Sequence, residues 1–294
     1  MTFCSLNAEF LSRKISSLLL YIHPYKGRTE MVTVLSNSSK QTTQIQHNHN
    51  MIKDSFLSVC EHSYNLITDF LNESDPENEL LTSTQEQVRK SYDILFESLN
   101  LYKLDELSIS YNGGKDCLVL LIIYLAVIYD KYQNESIPRD YKLNALYIKN
   151  ESMFQEQDDF IKKSAAKYQL NLQPFRDTMK RALHKYLVQN PCIKAVIIGI
   201  RRCDPYGKDL HYLQETDPSW PRLMRVNPIL EWDYHQIWFF LRHLKIEYCK
   251  LYDMGYTSLG GTNNTIKNPD LQDGDGYLPA YLLDDSEKER SSRL

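Results

Sequence analysis

Ser110-Tyr111-Asn112-Gly113-Gly114-Lys115-Asp116-Cys117 carries more chemistry than any other stretch of this chain. Two glycines in a row after a strand let the backbone turn tightly and come close to a ligand. The N–H groups that open the following helix then face any bound anion, with the helix dipole favouring negative charge. Lys115 can add a point charge on a phosphate, and Asp116 can hold Mg²⁺ through oxygen. Asn112 can donate an amide hydrogen bond to a phosphoryl oxygen. The plainer reading is an Asn-Gly-Gly turn with Asp116 as a helix cap. The segment is not a Walker A loop, because GxxxxGK(S/T) is absent, and it is not GxGxxG. A nucleophilic triad is not evident, and His184, His211, His235 and His243 read as structural or exposed.

The elements that must position this loop alternate between strand and helix. Leu107 to Tyr111 reads as a strand, and Cys117 to Tyr129 as an apolar helix. Leu143 to Ile148 is a second strand, followed by a helix over about Met153 to Tyr168. Leu170 to Phe175 is a third strand and Thr178 to Gln189 a third helix. Ala195 to Ile200 is a β-branched run of the kind found inside a parallel sheet. Such alternation implies a parallel sheet with helices on both faces, and ligands at the carboxyl ends of its strands. Asn112-Gly113-Gly114 and Arg201-Arg202 each follow such an end directly. Before this unit, apolar spacing predicts one helix from near Asp54, a break at Asn72 to Glu79, and a second helix from about Thr84 to Leu99. Beyond Arg201 the chain reads as irregular to about Glu231, then as an amphipathic helix over Asp233 to Lys245, then mostly as loop.

A chain of 294 residues, 42% hydrophobic and 24% charged, is enough for one large α/β domain with appendages. The net charge of −4 gives no basic stripe for a nucleic acid. Six cysteines without CxxC or CxxH spacing read as reduced intracellular thiols. The longest apolar run falls short of the roughly 18 residues that a membrane span needs. Residues 1–50 are acid-poor and end in polar low-complexity sequence. They are expected to be a flexible or targeting segment, with Met1, Met31 and Met51 all possible starts. The cytoplasm is the expected compartment, or the mitochondrion if that segment is a presequence.

SYNGGKD resembles the pyrophosphate loop of the PP-loop ATP pyrophosphatase and PAPS reductase superfamily. The Asn112 form looks specifically like the FAD synthetases of the yeast and animal type. The likeness continues through Gly199-Ile200-Arg201-Arg202 with Asp204-Pro205, and through Thr216-Asp217-Pro218-Ser219-Trp220-Pro221. Further blocks are Val226 to Trp232, Leu251 to Gly261, Pro279 to Leu283 and Glu289-Arg290-Ser291-Ser292-Arg293. The resemblance implies a Rossmann-like fold of the adenine nucleotide alpha hydrolase kind over residues 51–294, with a helical N-terminal segment and a loop-rich C-terminal extension. It implies adenylyl transfer from ATP to FMN by a stand-alone yeast-type form, expected to be a monomer. By match, Asn112, Gly113, Gly114 and Asp116 hold triphosphate and Mg²⁺, with Asp116 the metal ligand, and Ser110, Tyr111 and Lys115 belong to the ATP site. Ile148 sits beside adenine, Gly199 next to the nucleotide, and Arg201 at phosphate. Asp204, Asp217, Pro218, Ser219 and Trp220 face the flavin, and Arg290 and Arg293 reach back to phosphate. An isoalloxazine needs hydrogen bonding at one edge and an aromatic wall for its face, although Trp220 can also be read as core and Asp217 as an Asx-turn cap. PAPS reductase chemistry itself needs a nucleophilic cysteine in an ECGxH-type motif. The last cysteine here, Cys249, is followed by neither Gly nor His. A non-catalytic flavin or nucleotide binder on the same fold is the alternative from a different class.

Overall fold

The computed structural model describes residues 55–149 and 151–294, so the expectations for residues 1–50 lie outside the described residues. Helix α1 (Phe56–Asn72) begins at Ser55, whose hydroxyl accepts the Ser58 N–H. Helix α2 (Glu79–Leu101) starts more than a turn earlier than the spacing predicts, because Asn78 caps it through the Leu81 N–H. Then come β1 (Leu107–Ser110), α3 (Lys115–Tyr132), β2 (Leu143–Ile148), α4 (Gln155–Lys167), β3 (Leu170–Phe175), α5 (Met179–Gln189) and β4 (Ala195–Ile197). The Gly199-containing end of the last apolar run leaves the ladder, so β4 is shorter than expected.

The stretch after Arg201 is not wholly irregular. It contains β5 (Leu213–Glu215) and β6 (Met224–Val226), two three-residue strands with little apolar pattern to announce them. The sheet order is β3-β2-β1-β4-β6-β5. All neighbours are parallel except the β5–β6 pair. From β1 the chain builds outward through β2 and β3, then crosses back to lay β4 on the other side of β1. The strand order therefore reverses between β1 and β4, and a crevice opens there at the carboxyl ends.

Helix α3 is the keystone of the larger core. Cys117 through Ile128 are all buried, so this helix has no solvent face and must be covered on every side. The sheet covers one side, while α1, α2 and α6 (Tyr234–His243) pack around the others. On the opposite sheet face, α5 closes a smaller cluster of Leu146, Phe175, Leu183, Tyr186, Val196 and Leu223. Tyr186 donates from that face to Ser108 Oγ on β1 at 2.7 Å. Helix α6 has the expected bounds within two residues, fixed by a reciprocal Asp233–Gln236 capping box. Beyond it the chain is ordered as short 3₁₀ turns and a small ribbon of β7 (Gln272–Asp273) and β8 (Gly276–Tyr277). The five described cysteines are free thiols. Among the described residues, no helix is long and apolar enough to cross a membrane.

Candidate active site

The loop after β1 is held open by its own residues. Gly113 has φ +70, and a side chain there would meet Ile161 Cγ1 at 2.6 Å, so glycine is required on both counts. Asn112 is exposed. Its Oδ1 accepts the Gly114 N–H at 2.9 Å and the Cys117 thiol at 3.1 Å, which leaves its amide hydrogens facing outward for a ligand. Burial of the Cys117 thiol pushes its pKa up to about 12, so it is no nucleophile. Tyr111 is fully buried: its hydroxyl donates to Ser164 and its N–H to Leu146 O. Ser110 ends β1 half-buried.

The loop after β4 meets the first loop backbone to backbone. A side chain on Gly199 would lie 3.1 Å from the N and Cα of Cys117, at the start of α3. That contact explains the glycine without a ligand and sets Arg201 beside Asp116. Arg201 is 1% exposed, with Nε 3.0 Å from Asp116 Oδ1 and Nη2 2.6 Å from Glu289 Oε2. Lys115, 2% exposed, lies 3.0 Å from Asp116 Oδ2 and 2.5 Å from Glu289 Oε1. Its ammonium also sits over the Tyr234 and Tyr252 rings, and its backbone N–H donates to the Tyr252 hydroxyl at 3.0 Å. Two cations and two carboxylates thus close a ring. Lys115 and Arg201, both expected at phosphate, are spent inside it and do not face the crevice.

Burial works against the charge on Asp116, but Arg201 and then Lys115 more than offset it, so its carboxyl is held below the ordinary aspartate range. Burial is the largest single influence on Lys115 and works against its charge, but Asp116 and Glu289 together outweigh it and its pKa is raised. Asp204 is pushed up, by burial first and by the neighbouring Asp116 charge second. Asp116 and Asp204 are each 21% exposed, and Arg290, 43% exposed, brings Nη1 within 4.0 Å of Asp204 Oδ1. These three with Asn112 make the accessible polar face. Arg202 turns away to Glu231 and to the carbonyls of Lys208 and Leu210, bracing the loop.

Glu287 to Arg293, which apart from the resemblance reads as a solvated charged tail, instead folds back with the 3₁₀ strap Ser286–Ser292. Thr257 donates to Glu289 O at 2.6 Å and Asn268 to Lys288 O at 2.8 Å. Arg293 is half-buried, donating to Leu259 O at 2.9 Å with its guanidinium laid over Gly260. Burial and the nearby Arg290 lower its pKa. Glu289, Tyr234 and Tyr252 are site residues that sequence reasoning passed over. Glu289 stands inside the matched terminal block, and Tyr252 inside Leu251 to Gly261.

The remaining expected residues lie apart from the ion ring. Asp217, Pro218 and Ser219 are exposed. The Asp217 carboxylate lies 3.9 Å from Arg225, and no capping bond of its own is seen. Trp220 and Ile148 are both partly buried against the α5-side cluster, so the expected flavin wall and adenine neighbour share one support. Among the described residues no group of three His, Cys, Asp or Glu is placed to cage a metal. Asp116 Oδ1 nevertheless has no hydrogen-bond partner, since the Arg201 Nε–H beside it is not aimed at it. A hard-oxygen donor of this kind, with Asp204 nearby, fits Mg²⁺ shared with substrate phosphates.

The phosphoadenosine phosphosulfate reductase domain family matches residues 106–186 and 174–267. The probable FAD synthase of Schizosaccharomyces pombe is 38% identical over 238 residues, 81% of this chain and 89% of that protein. The chain belongs to the FAD synthase family. The flavin adenine dinucleotide synthase of Saccharomyces cerevisiae is 32% identical over 264 residues, 80% of this chain and 86% of its own. Candida glabrata FMN adenylyltransferase, solved with FMN and the ATP analogue AMPCPP, superposes with a TM-score of 0.77 at 28% identity. That match covers 83% of this chain and 99% of that one. The same enzyme with FAD and inorganic pyrophosphate gives 0.77 at 29% identity, over 82% and 98%. The FAD synthase fold is thus the sheet described above, with its crevice between β1 and β4.

Proposed function

We propose that this chain transfers the adenylyl group of ATP to FMN, forming FAD and releasing pyrophosphate. The observation that carries the reading is the convergence of Asn112, Asp116, Asp204 and Arg290 on one face at the carboxyl ends of β1 and β4. It is supported by FAD synthase relatives that match over most of their length.

The FMN phosphate is already a nucleophile. One of its oxygens attacks the α-phosphorus of ATP in line, the bond from that phosphorus to the bridging oxygen breaks, and pyrophosphate carries the electrons away. No enzyme nucleophile is needed, so catalysis consists of positioning and charge neutralisation. Asn112 donates to a phosphoryl oxygen, and the first turn of α3 directs its dipole at the polyphosphate. Asp116, with Asp204, would hold Mg²⁺, which when bound would supply neutralisation of the phosphate charge. Arg290 is the cation left accessible to the phosphates, and Arg293 stands behind it. Lys115 and Arg201 act through Asp116, fixing its carboxylate. Asp217 to Trp220 face the flavin and Ile148 the adenine.

The test is incubation of purified protein with FMN, ATP and Mg²⁺, following FAD by chromatography and pyrophosphate by a coupled assay. Equal yields of both products are expected. FMN binding with neither product would overturn the reading in favour of a binder.

A further inference from the structure

We propose that Glu289 is a positioning residue for adenylyl transfer, its buried carboxylate bridging Lys115 and Arg201 and so fixing the Asp116 carboxylate that both cations contact. This deepens the adenylyltransferase reading and rests on it. Glu289 is 5% exposed and uses both oxygens, Oε1 on Lys115 at 2.5 Å and Oε2 on Arg201 at 2.6 Å. Its backbone is pinned by the Thr257 hydroxyl, and Thr257 itself accepts from Asn268 at 2.9 Å. The carboxylate therefore has a fixed origin and a fixed reach. On the other side of the ring, Asp116 Oδ2 accepts from Lys115, while Oδ1 lies 3.0 Å from Arg201 Nε without a hydrogen bond.

That asymmetry is what Glu289 maintains. A guanidinium next to a carboxylate prefers the two-pronged pairing that consumes both oxygens. Here Arg201 Nη2 is drawn to Glu289 instead, and the guanidinium is held off the two-pronged pose on Asp116. Neutralising Glu289 leaves buried Lys115 and Arg201 with Asp116 and, 3.7 Å from Arg201, Asp204 as their remaining carboxylates. Arg201 then swings onto Asp116 and turns its carboxylate out of the pose it holds at the crevice. The strap thus reaches the reaction from the far end of the chain without touching substrate.

The variant to make is Glu289→Gln, which keeps shape and removes charge. For wild type and variant we would measure kcat, KM for ATP and for FMN, FMN affinity by flavin fluorescence quenching, and the melting temperature. The proposal expects kcat to fall on the order of 10- to 100-fold, as for partners that orient a metal ligand, with FMN affinity and its KM unchanged. Should the single variant not fold, Lys115→Met/Glu289→Gln removes one cation with the anion and restores charge balance. It is expected to recover the melting temperature but not kcat. Wild-type kcat in Glu289→Gln overturns the proposal, and so does recovery of both stability and rate in the double variant. Wild-type protein that forms no FAD sinks the adenylyltransferase reading itself. Active wild type with an unaffected variant sinks only the role of Glu289.

Discussion

At the scale of single residues, the loop after β1 depends on one missing Cβ, at Gly113, and on one carboxylate, Asp116, held by Lys115 and Arg201. Gly113 combines a left-handed backbone with a 2.6 Å approach to Ile161. Gly113→Ala must therefore either move α4 or flatten the turn. Strain of that kind costs about 1–3 kcal/mol, and thermal melting should show the protein destabilised by that amount. FAD formation should fall with it, because Asn112 no longer presents its amide hydrogens. A melting temperature and rate equal to wild type would mean that the turn is not as tight as described. Asp116→Ala makes a different prediction. If Asp116 has the proposed charge-stabilising role at the reacting phosphates, kcat is expected to fall by roughly 10²–10³, while FMN still quenches on binding, since that role involves no contact with the flavin. Near-normal turnover in that variant would remove Asp116 from the chemistry. The sequence made both residues legible through the whole run SYNGGKD, since Gly-Gly or a first-turn acid taken alone reads equally well as a turn and a helix cap. It did not make Glu289 legible. A glutamate between a lysine and an arginine near a chain end looks like solvated charge, and only the folded strap shows that it is buried against Lys115 and Arg201.

At the scale of elements, the strap over Ser286–Ser292 and the loop opening α3 form one electrostatic unit, although more than 150 residues separate them in sequence. Deleting Ser286 to Leu294 strips Lys115 and Arg201 of a carboxylate inside the protein. Breaking a buried pair from one side costs about 3–5 kcal/mol. The truncated chain is expected to melt well below the intact one and to form no FAD. An unchanged melting temperature would show that the strap lies on the surface and carries no buried charge. Element type was readable wherever the pattern was long. The apolar run Cys117 to Tyr129 has no polar stripe, and the structure surrounds it on all sides. Leu170–Phe175 has the bounds read from the sequence. The failures were β5 and β6, three residues each, whose place in the sheet comes from pairing beside β4 and from no pattern of their own. The early start of α2 was missed because Asn78 looked like part of a loop when it is the cap.

At the scale of the whole molecule, the site is assembled from four distant segments that meet because of where the strand order reverses. β1 delivers Asn112 to Asp116, β4 delivers Arg201 and Asp204, Tyr252 supports the first loop, and the strap brings Glu289, Arg290 and Arg293. The alternation of strands and helices predicted the crevice, since ligands in such sheets lie at the reversal. The partnering of the four segments could not be read in advance, because an ion ring has no periodicity. Every group assigned to binding or catalysis lies within Ile52–Leu294, a compact unit by its own contacts. The S. pombe relative reaches 89% of its own length while matching 81% of this chain. A protein starting at Met51 is therefore expected to make FAD with the kcat and the two KM values of the intact chain. Steady-state kinetics on the two side by side decides it. A lower kcat, or a raised KM for either substrate, would place a working residue among the first fifty and require a fifth segment at the crevice.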